Sequence, residues 1–397
     1  MDPKYRTLFD AGRERSATDS VKWDVKPGEL PMWVADMDFD TAPCVLDAIK
    51  GRLERGAFGY SDITSEWKNA YRSWWKRRYQ TEIPEEWLVY SAGAIPTISA
   101  AVRKFTTPGE KIIILTPVYN IFYNSILNNG RVVLECPLLE IEGTSYIDWD
   151  ALEKAAADPQ ASAMIFCNPH NPTGRIWSRE ELIRVAEIAE RNHVFIVSDE
   201  VHCDLTAPGL SYVPFCSLDP DKTSHVISCI APTKAFNIAG IQTSAVVASN
   251  PAVRHKIWRE INTDEVGEPN TFAVPCTVAA FSPAGEEWLE ALREYLAENR
   301  RMASEFIEGH LPKLRVVGGD ATYLLWIDCS YYCELYHCDS ESLAKRIREK
   351  SGLILSVGVI FGPGGEHSLR MNLACPQKLL TEGLHRLYFG LQPEDQI

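Results

Sequence analysis

The sequence predicts an α/β fold: a large domain on a mostly parallel central sheet flanked by helices, plus a smaller α+β domain. Two observations carry this. The middle of the 397-residue chain alternates short apolar runs with amphipathic stretches of helical period, the pattern of a sheet covered on both faces. Toward the C-terminus a long helical stretch is followed by strand-like runs separated by a second helix, which is α+β in kind.

Six runs read as strands: Lys111–Leu115, Arg131–Leu138, Ala163–Pro169, His193–Glu200, Ser224–Cys229 and Ser244–Ser249. Between two of them, Ser178–Asn192 reads as a helix. Ser178 as N-cap and Glu181 three residues on form a capping box, and Leu182, Ile183, Ala186 and Ala189 line one face. The C-terminal part predicts a long helix over Glu286–Glu308 and a shorter one near Ser342–Ser351. We expect the large domain over 50–285 and the small one over 1–49 together with 286–397.

Composition narrows the function classes. The formal net charge of −14 repels nucleic acid and anionic membrane, so any phosphate-bearing ligand needs a locally built site. No apolar run approaches the length of a membrane span, and MDPKYRTLFDAGRER lacks the apolar core of a secretory signal. Eleven scattered cysteines without a C-x-x-C pair read as free thiols of a reducing compartment. Cys329, Cys333, Cys338 and His337 cluster, but not at the usual zinc-ligand spacings. A cytoplasmic protein without a metal is expected, with no nucleic-acid or membrane partner.

Three strand ends carry chemistry. Lys234 follows the strand SHVISC through Ala231-Pro232-Thr233. Lysine is rarely left unpaired in a core, and desolvation lowers its pKa until the neutral amine can form a Schiff base; a surface loop lysine is the plainer alternative. Asp199 ends the apolar strand HVFIVSDE, where a carboxylate needs a partner; capping a turn is the alternative use. CNPHNPTGR places Asn168, Asn171 and Gly174 in a strand-to-helix connection with Pro172 in a tight turn that a cis bond would suit.

Asn171, Asp199 and Lys234, in that order and 28 and 35 residues apart, resemble the fold-type I pyridoxal-phosphate enzymes of the aspartate aminotransferase superfamily (class I/II). Longer runs narrow the resemblance to the MalY/PatB-like branch of cystathionine β-lyase-like carbon–sulfur lyases. They are SVKWD (20–24), LPMWVADMDF (30–39), FGY (58–60), CNPHNPTGR, SDEVHCDL (198–205), KAFNIAGIQTS (234–244) and FGPGGEHSLRMNLACP (361–376). The likeness covers nearly the whole chain.

The resemblance implies pyridoxal 5'-phosphate as cofactor and assigns roles. Lys234 looks like the lysine that carries the cofactor, Asp199 the partner of its pyridinium nitrogen, and Asn171 the ligand of its phenolic oxygen. His202 stands where many relatives have tyrosine and is able to donate to that same oxygen. Tyr119 resembles the aromatic stacked on the ring, with Tyr123 a rival. The backbone of Gly93, Ala94 and Ile95 opens a helix whose N-terminus suits the phosphate, assisted by Thr233. Tyr60 resembles a tyrosine that reaches the neighbouring subunit's phosphate and substrate, implying a homodimer with shared sites. Arg370 looks like the clamp on the substrate α-carboxylate. Two positions depart from the superfamily: Ala231 replaces a common serine, and Gln242 a common arginine.

With these parts an amino acid is expected to bind through Arg370, and Lys234 to remove its Cα proton. Loss of a thiolate from Cβ then gives pyruvate and ammonia; return of the proton to the cofactor gives transamination. The branch resemblance favours the carbon–sulfur lyase. Alternatives are an aminotransferase, or a regulatory protein that uses the fold without turnover. Recognition of the rest of the substrate is expected near Trp33, Tyr60 or Phe361.

Overall fold

A computed structural model describes residues 1–12, 15, 16 and 18–393. The N-terminal stretch read for a signal and the segments expected to form the small domain each include residues outside that set. The main sheet has seven strands: β1 (Leu88–Ser91), β2 (Lys111–Thr116), β3 (Val132–Pro137), β4 (Ala161–Cys167), β5 (Phe195–Asp199), β6 (Val226–Ile230) and β7 (Ser244–Val247). Their order is β1-β7-β6-β5-β4-β2-β3. Only β7 runs antiparallel to its neighbours.

Burial explains why the strands inside the edge strand β3 read as unbroken apolar runs. Successive side chains point to opposite faces of a strand, and here both faces are covered. Ile112, Ile114, Ile165, Val197 and Val246 pack on one side with Ile98 and Val102 of helix Ala94–Phe105. Ile113, Leu115, Met164, Phe166 and Ile196 pack on the other with Leu182, Val185 and Ile188 of helix Arg179–Arg191. That helix starts at the expected capping box, with Ser178 accepting from the Glu181 N–H and Glu181 reaching back to Ser178. Ile183, read as core, is only half-buried, while Val185 and Ile188 are fully buried.

A second, antiparallel sheet comprises β8 (Arg315–Val317), β9 (Leu324–Asp328), β10 (Ser356–Val357) and β11 (Ser368–Asn372), in the order β8-β9-β11-β10. Leu325, Ile327, Leu369 and Met371 share its core with Leu30, Met32 and Leu384. The 28-residue helix Pro283–His310 joins the two halves. Its first turns place Trp288, Leu292 and Tyr295 in an aromatic cluster with Trp67, Tyr71 and Trp74, and its last turns place Ala303 and Ile307 in the second core. Phe9 of helix Pro3–Ala11 sits in the aromatic cluster. No helix among the described residues is long and apolar enough to cross a membrane.

One buried carboxyl gives a stability prediction. Glu200, directly after β5, is fully buried; its Oε1 accepts from Ser228 Oγ at 2.8 Å and its Oε2 has no partner. Burial is the largest cause pushing its pKa up to about 8, against the hydrogen bonds of Ser198 and Ser228. Its folded-state value thus lies above the unfolded one near 4.5, so folding retains a proton that the unfolded chain sheds. The associated stability is full below pH 4.5 and declines as pH rises toward 8, by up to about 1.4 kcal/mol per pH unit. Glu200→Gln should flatten that decline relative to the parent chain. Denaturant melts of both between pH 5 and 8 check this, and parallel slopes would refute it.

Candidate active site

All the sequence-identified strand ends open at one edge of the main sheet. β2, β4, β5 and β6 are parallel and in register, so Thr116, Cys167, Asp199 and Ile230 end side by side. β1 ends there too, because Ser91 pairs with Ser244 at the start of antiparallel β7. In such sheets ligands bind beyond the carboxyl ends.

Lys234 lies in the turn after β6 and donates from Nζ to the Ala35 carbonyl at 2.8 Å. Its pKa is lowered, chiefly by burial and then by Arg370, against the pull of Asp36 and Asp199. Asp199 is 4 % exposed, and among the described residues the only donor to its carboxylate is the Val201 N–H at 3.3 Å. Burial pushes it up to about 6, opposed by Val201 and Lys234. A carboxylate so poorly satisfied in a dry site is poised for a cationic or N–H partner.

Arg370, on β11, is buried, and no carboxylate among the described residues pairs with it. Nη1 donates to Asn171 Oδ1 at 3.1 Å, Nη2 to the Trp33 carbonyl at 3.0 Å and Ser356 Oγ at 3.2 Å, and Nε has no partner. Burial brings its pKa down to about 10, a cost that an incoming anion would reverse. The guanidinium stacks on the Phe361 ring at 4.9 Å. Asn171 reaches this position through a loop with cis bonds at Asn168–Pro169 and Asn171–Pro172. Gly174 closes that loop with φ 71°, and a Cβ there would lie 2.6 Å from the Ala321 carbonyl; only glycine fits.

His202 is buried with Nδ1 unpartnered. Burial, then Lys234 and Arg370, lower its pKa to about 3, so it is neutral at any working pH. Tyr119 belongs to the same group: burial raises its pKa most, and Asp199 and Arg370 act on it next. Its rival Tyr123 points elsewhere, donating to Glu135 at 2.7 Å.

Gly93 is the N-cap of helix Ala94–Phe105, and no side chain caps it. The leading N–H groups of Ala94 and Ile95 are therefore open to an anion. Thr233, half-buried beside Lys234, stands near that edge. Gln242 adopts a left-handed backbone with φ 54° and accepts from Tyr90 through its carbonyl. Tyr60 is fully exposed and, like Tyr123, is not brought into the group around Lys234.

The donors and acceptors left over suit pyridoxal phosphate. They are an under-satisfied Asp199, an unpartnered His202 nitrogen, a half-buried lysine with lowered pKa, and an uncapped helix start. Sequence reasoning missed Tyr323, Ser356 and the carbonyls of Trp33 and Ala35. Tyr323 donates to Ala35 at 2.9 Å, and its place directly before the buried strand β9 was the only available signal. Among the described residues, no group of three His, Cys, Asp or Glu is placed to hold a metal.

Comparison with known proteins agrees with this geometry. The model of the family "Aminotransferase class I and II" matches residues 30–387. Cystathionine beta-lyase PatB of Bacillus subtilis (strain 168) is 40% identical over 390 residues, covering 96% of this chain and 99% of that one. A PLP-bound putative aminotransferase from Clostridium difficile 630 superposes with a TM-score of 0.92 at 36% identity, over 97% of this chain and 99% of the other. The PLP-bound C-S lyase from Staphylococcus hominis does so at 0.91 and 35%, over 96% and 98%. The chain thus has the type I fold of PLP-dependent transferases, and it belongs to the aminotransferase class I and II family.

Proposed function

We propose that this chain is a pyridoxal-phosphate-dependent carbon–sulfur β-lyase. It cleaves L-cystathionine or a related S-substituted L-cysteine, with water, to a thiol, pyruvate and ammonia. The observation that carries this is a buried arginine with no carboxylate partner among the described residues, Arg370, held by Asn171 beside a half-buried lysine of lowered pKa. Relatives decide the outcome at Cβ, since PatB is a cystathionine β-lyase and the Staphylococcus hominis structure a C-S lyase.

Bound through Lys234, pyridoxal phosphate supplies an electron sink for the charge left at Cα, which labilises a leaving group at Cβ. The residues of the chain do the rest. Arg370 receives the α-carboxylate with two N–H groups, which fixes the Cα–H direction. Lys234, once released, takes that proton as a neutral amine. Asp199 holds the pyridinium proton, and that positive partner restores the ionised carboxylate that burial disfavours. Asn171 and neutral His202 would hold the phenolic oxygen, Tyr119 would pack against the ring, and the Gly93–Ile95 backbone with Thr233 would hold the phosphate.

Full exposure of Tyr60, with Phe58 also exposed, supports a homodimer in which Tyr60 enters the partner's site. A chain carrying Tyr60→Ala mixed with one carrying Lys234→Ala then contains one native site per mixed dimer. Specific activity should recover to about one quarter of the parent value under random reassociation; no recovery would remove Tyr60 from the shared site. We retain 50–285 and 1–49 plus 286–397 as the two folding units, with the helix Pro3–Ala11 resting on the first. Eleven free cysteines support a cytoplasmic location.

The test of the activity is incubation with L-cystathionine, and separately L-cystine, in the absence of any keto acid. Sustained pyruvate with matching thiol is expected. Amino transfer that appears only after a keto acid is added would overturn the lyase reading.

A further inference from the structure

Two donors meet on one buried oxygen beside the reacting lysine. The Ala35 carbonyl accepts from Lys234 Nζ at 2.8 Å and from Tyr323 Oη at 2.9 Å. Its peptide is held on both sides: Asn372 donates to the Val34 and Asp36 carbonyls, and Arg370 and Ser356 to that of Trp33. The oxygen is therefore a fixed point, and its two lone pairs are both taken. Tyr323 is 1 % exposed, with its ring edge-on to His202 at 6.2 Å. We infer that Tyr323 is a positioning residue for Lys234, acting through the Ala35 carbonyl that both share.

The reasoning rests on Lys234 being the cofactor-bearing base of the preceding section. That lysine has two states. Linked to the cofactor, its nitrogen would be an imine and no longer a primary amine. Released by the substrate amine, it is a primary amine on a flexible stem in a dry site. A single carbonyl acceptor fixes one N–H and leaves the lone pair free for the Cα proton. An unshared carbonyl would favour the ammonium, which has no lone pair to offer. Tyr323 occupies one lone pair of Ala35 and so weakens that preference.

The charged and titratable groups around Lys234 are Arg370, Asp36, Asp199 and His202. Those around Tyr323 are Asp36, Arg370, Tyr119 and His202. Asp36 is itself paired with Lys22 at 3.5 Å, and Lys22 with Asp38 at 2.8 Å. Burial, first of all, holds the Tyr323 hydroxyl protonated far above its usual range, so it stays a donor while its neighbours titrate.

The test is Tyr323→Phe, which keeps the ring and removes the donor. In the cofactor-free full-length chain, labelling of Lys234 by an amine-directed reagent is followed against pH by mass spectrometry. The midpoint should rise by about half to one pH unit, a 3- to 10-fold slower labelling below it. In the holoenzyme, exchange of the Cα proton of L-alanine in deuterium oxide should slow by a similar factor at unchanged half-saturation. The pH titration of the bound cofactor's visible absorbance should not move, because the linked Lys234 nitrogen would no longer be the primary amine that shares the Ala35 carbonyl. Superimposed labelling curves, or unchanged exchange, would overturn the inference. If the variant does not fold, 3-fluorotyrosine at position 323, a stronger donor, should shift the labelling midpoint downward; no shift would likewise overturn it. Alanine has no leaving group, so the exchange result holds for a lyase or an aminotransferase. Failure of the cystathionine assay is thereby a separate outcome.

Discussion

Lys234→Ala is expected to cut turnover by about 10,000-fold or more and to leave the purified protein without the visible absorbance of a lysine-linked cofactor. The magnitude follows from two roles lost together. Covalent attachment of the cofactor goes, and so does the base for the Cα proton, which alone is worth roughly 100- to 10,000-fold. Stability should change little by comparison. Among the described residues the Lys234 amine donates only to Ala35, whose oxygen keeps Tyr323 as partner. Steady-state pyruvate formation and an absorbance spectrum check both parts. A variant that keeps a tenth of the parent rate would remove Lys234 from the chemistry.

Arg370→Ala is expected to lower kcat/KM for an amino-acid substrate by roughly 30- to 5,000-fold, the factor for losing one partner of a desolvated charge pair worth about 2–5 kcal/mol. Truncation also unpairs the Asn171 side-chain oxygen, takes one of two donors from the Trp33 carbonyl and the donor from Ser356 Oγ, and removes a cation from the Phe361 ring, so a fall in melting temperature should accompany it. Arg370→Lys separates the two effects. It keeps the charge and loses the planar fork, and a loss of tenfold or more with most of the stability retained is expected. The selectivity of the variants is the sharper readout. The parent should strongly prefer a substrate with a free α-carboxylate over its amide, and Arg370→Ala should lose most of that preference. Equal discrimination in both would place the carboxylate elsewhere.

Much of the fold was legible because the strands of a doubly covered parallel sheet are apolar on both faces. The runs at 111–115 and 163–169 are visible without any periodicity. Glu181 reaching back to Ser178 shows the same economy, since a capping box is a purely local contact. The joining helix was harder. Its apolar positions serve two different cores, Trp288 and Tyr295 in one and Ala303 and Ile307 in the other. A boundary drawn at residue 286 therefore cuts an element that starts at Pro283.

In the site, Lys234, Asp199 and Asn171 could be read because costly residue types stand at the ends of apolar strands. Tyr119 and Tyr123, four residues apart in a run with no decisive pattern, could not be separated by sequence. The hydrogen bond from Tyr123 to Glu135 separates them. The Ala35 and Trp33 carbonyls had no signature at all, because a backbone oxygen carries no residue identity, and the partners that find them come from 199 and 337 positions away. Tyr60 was named through the family resemblance, and its full exposure in the single chain agrees with expected partners that belong to a second chain.

The most direct test of the central claim is to reduce the holoenzyme with borohydride, digest it and locate the phosphopyridoxyl group by mass spectrometry. The account predicts one modified residue per chain, Lys234, in the peptide that contains Thr233 and Ala235. Modification at another lysine, or none in a protein that still eliminates thiol from L-cystathionine, would contradict it.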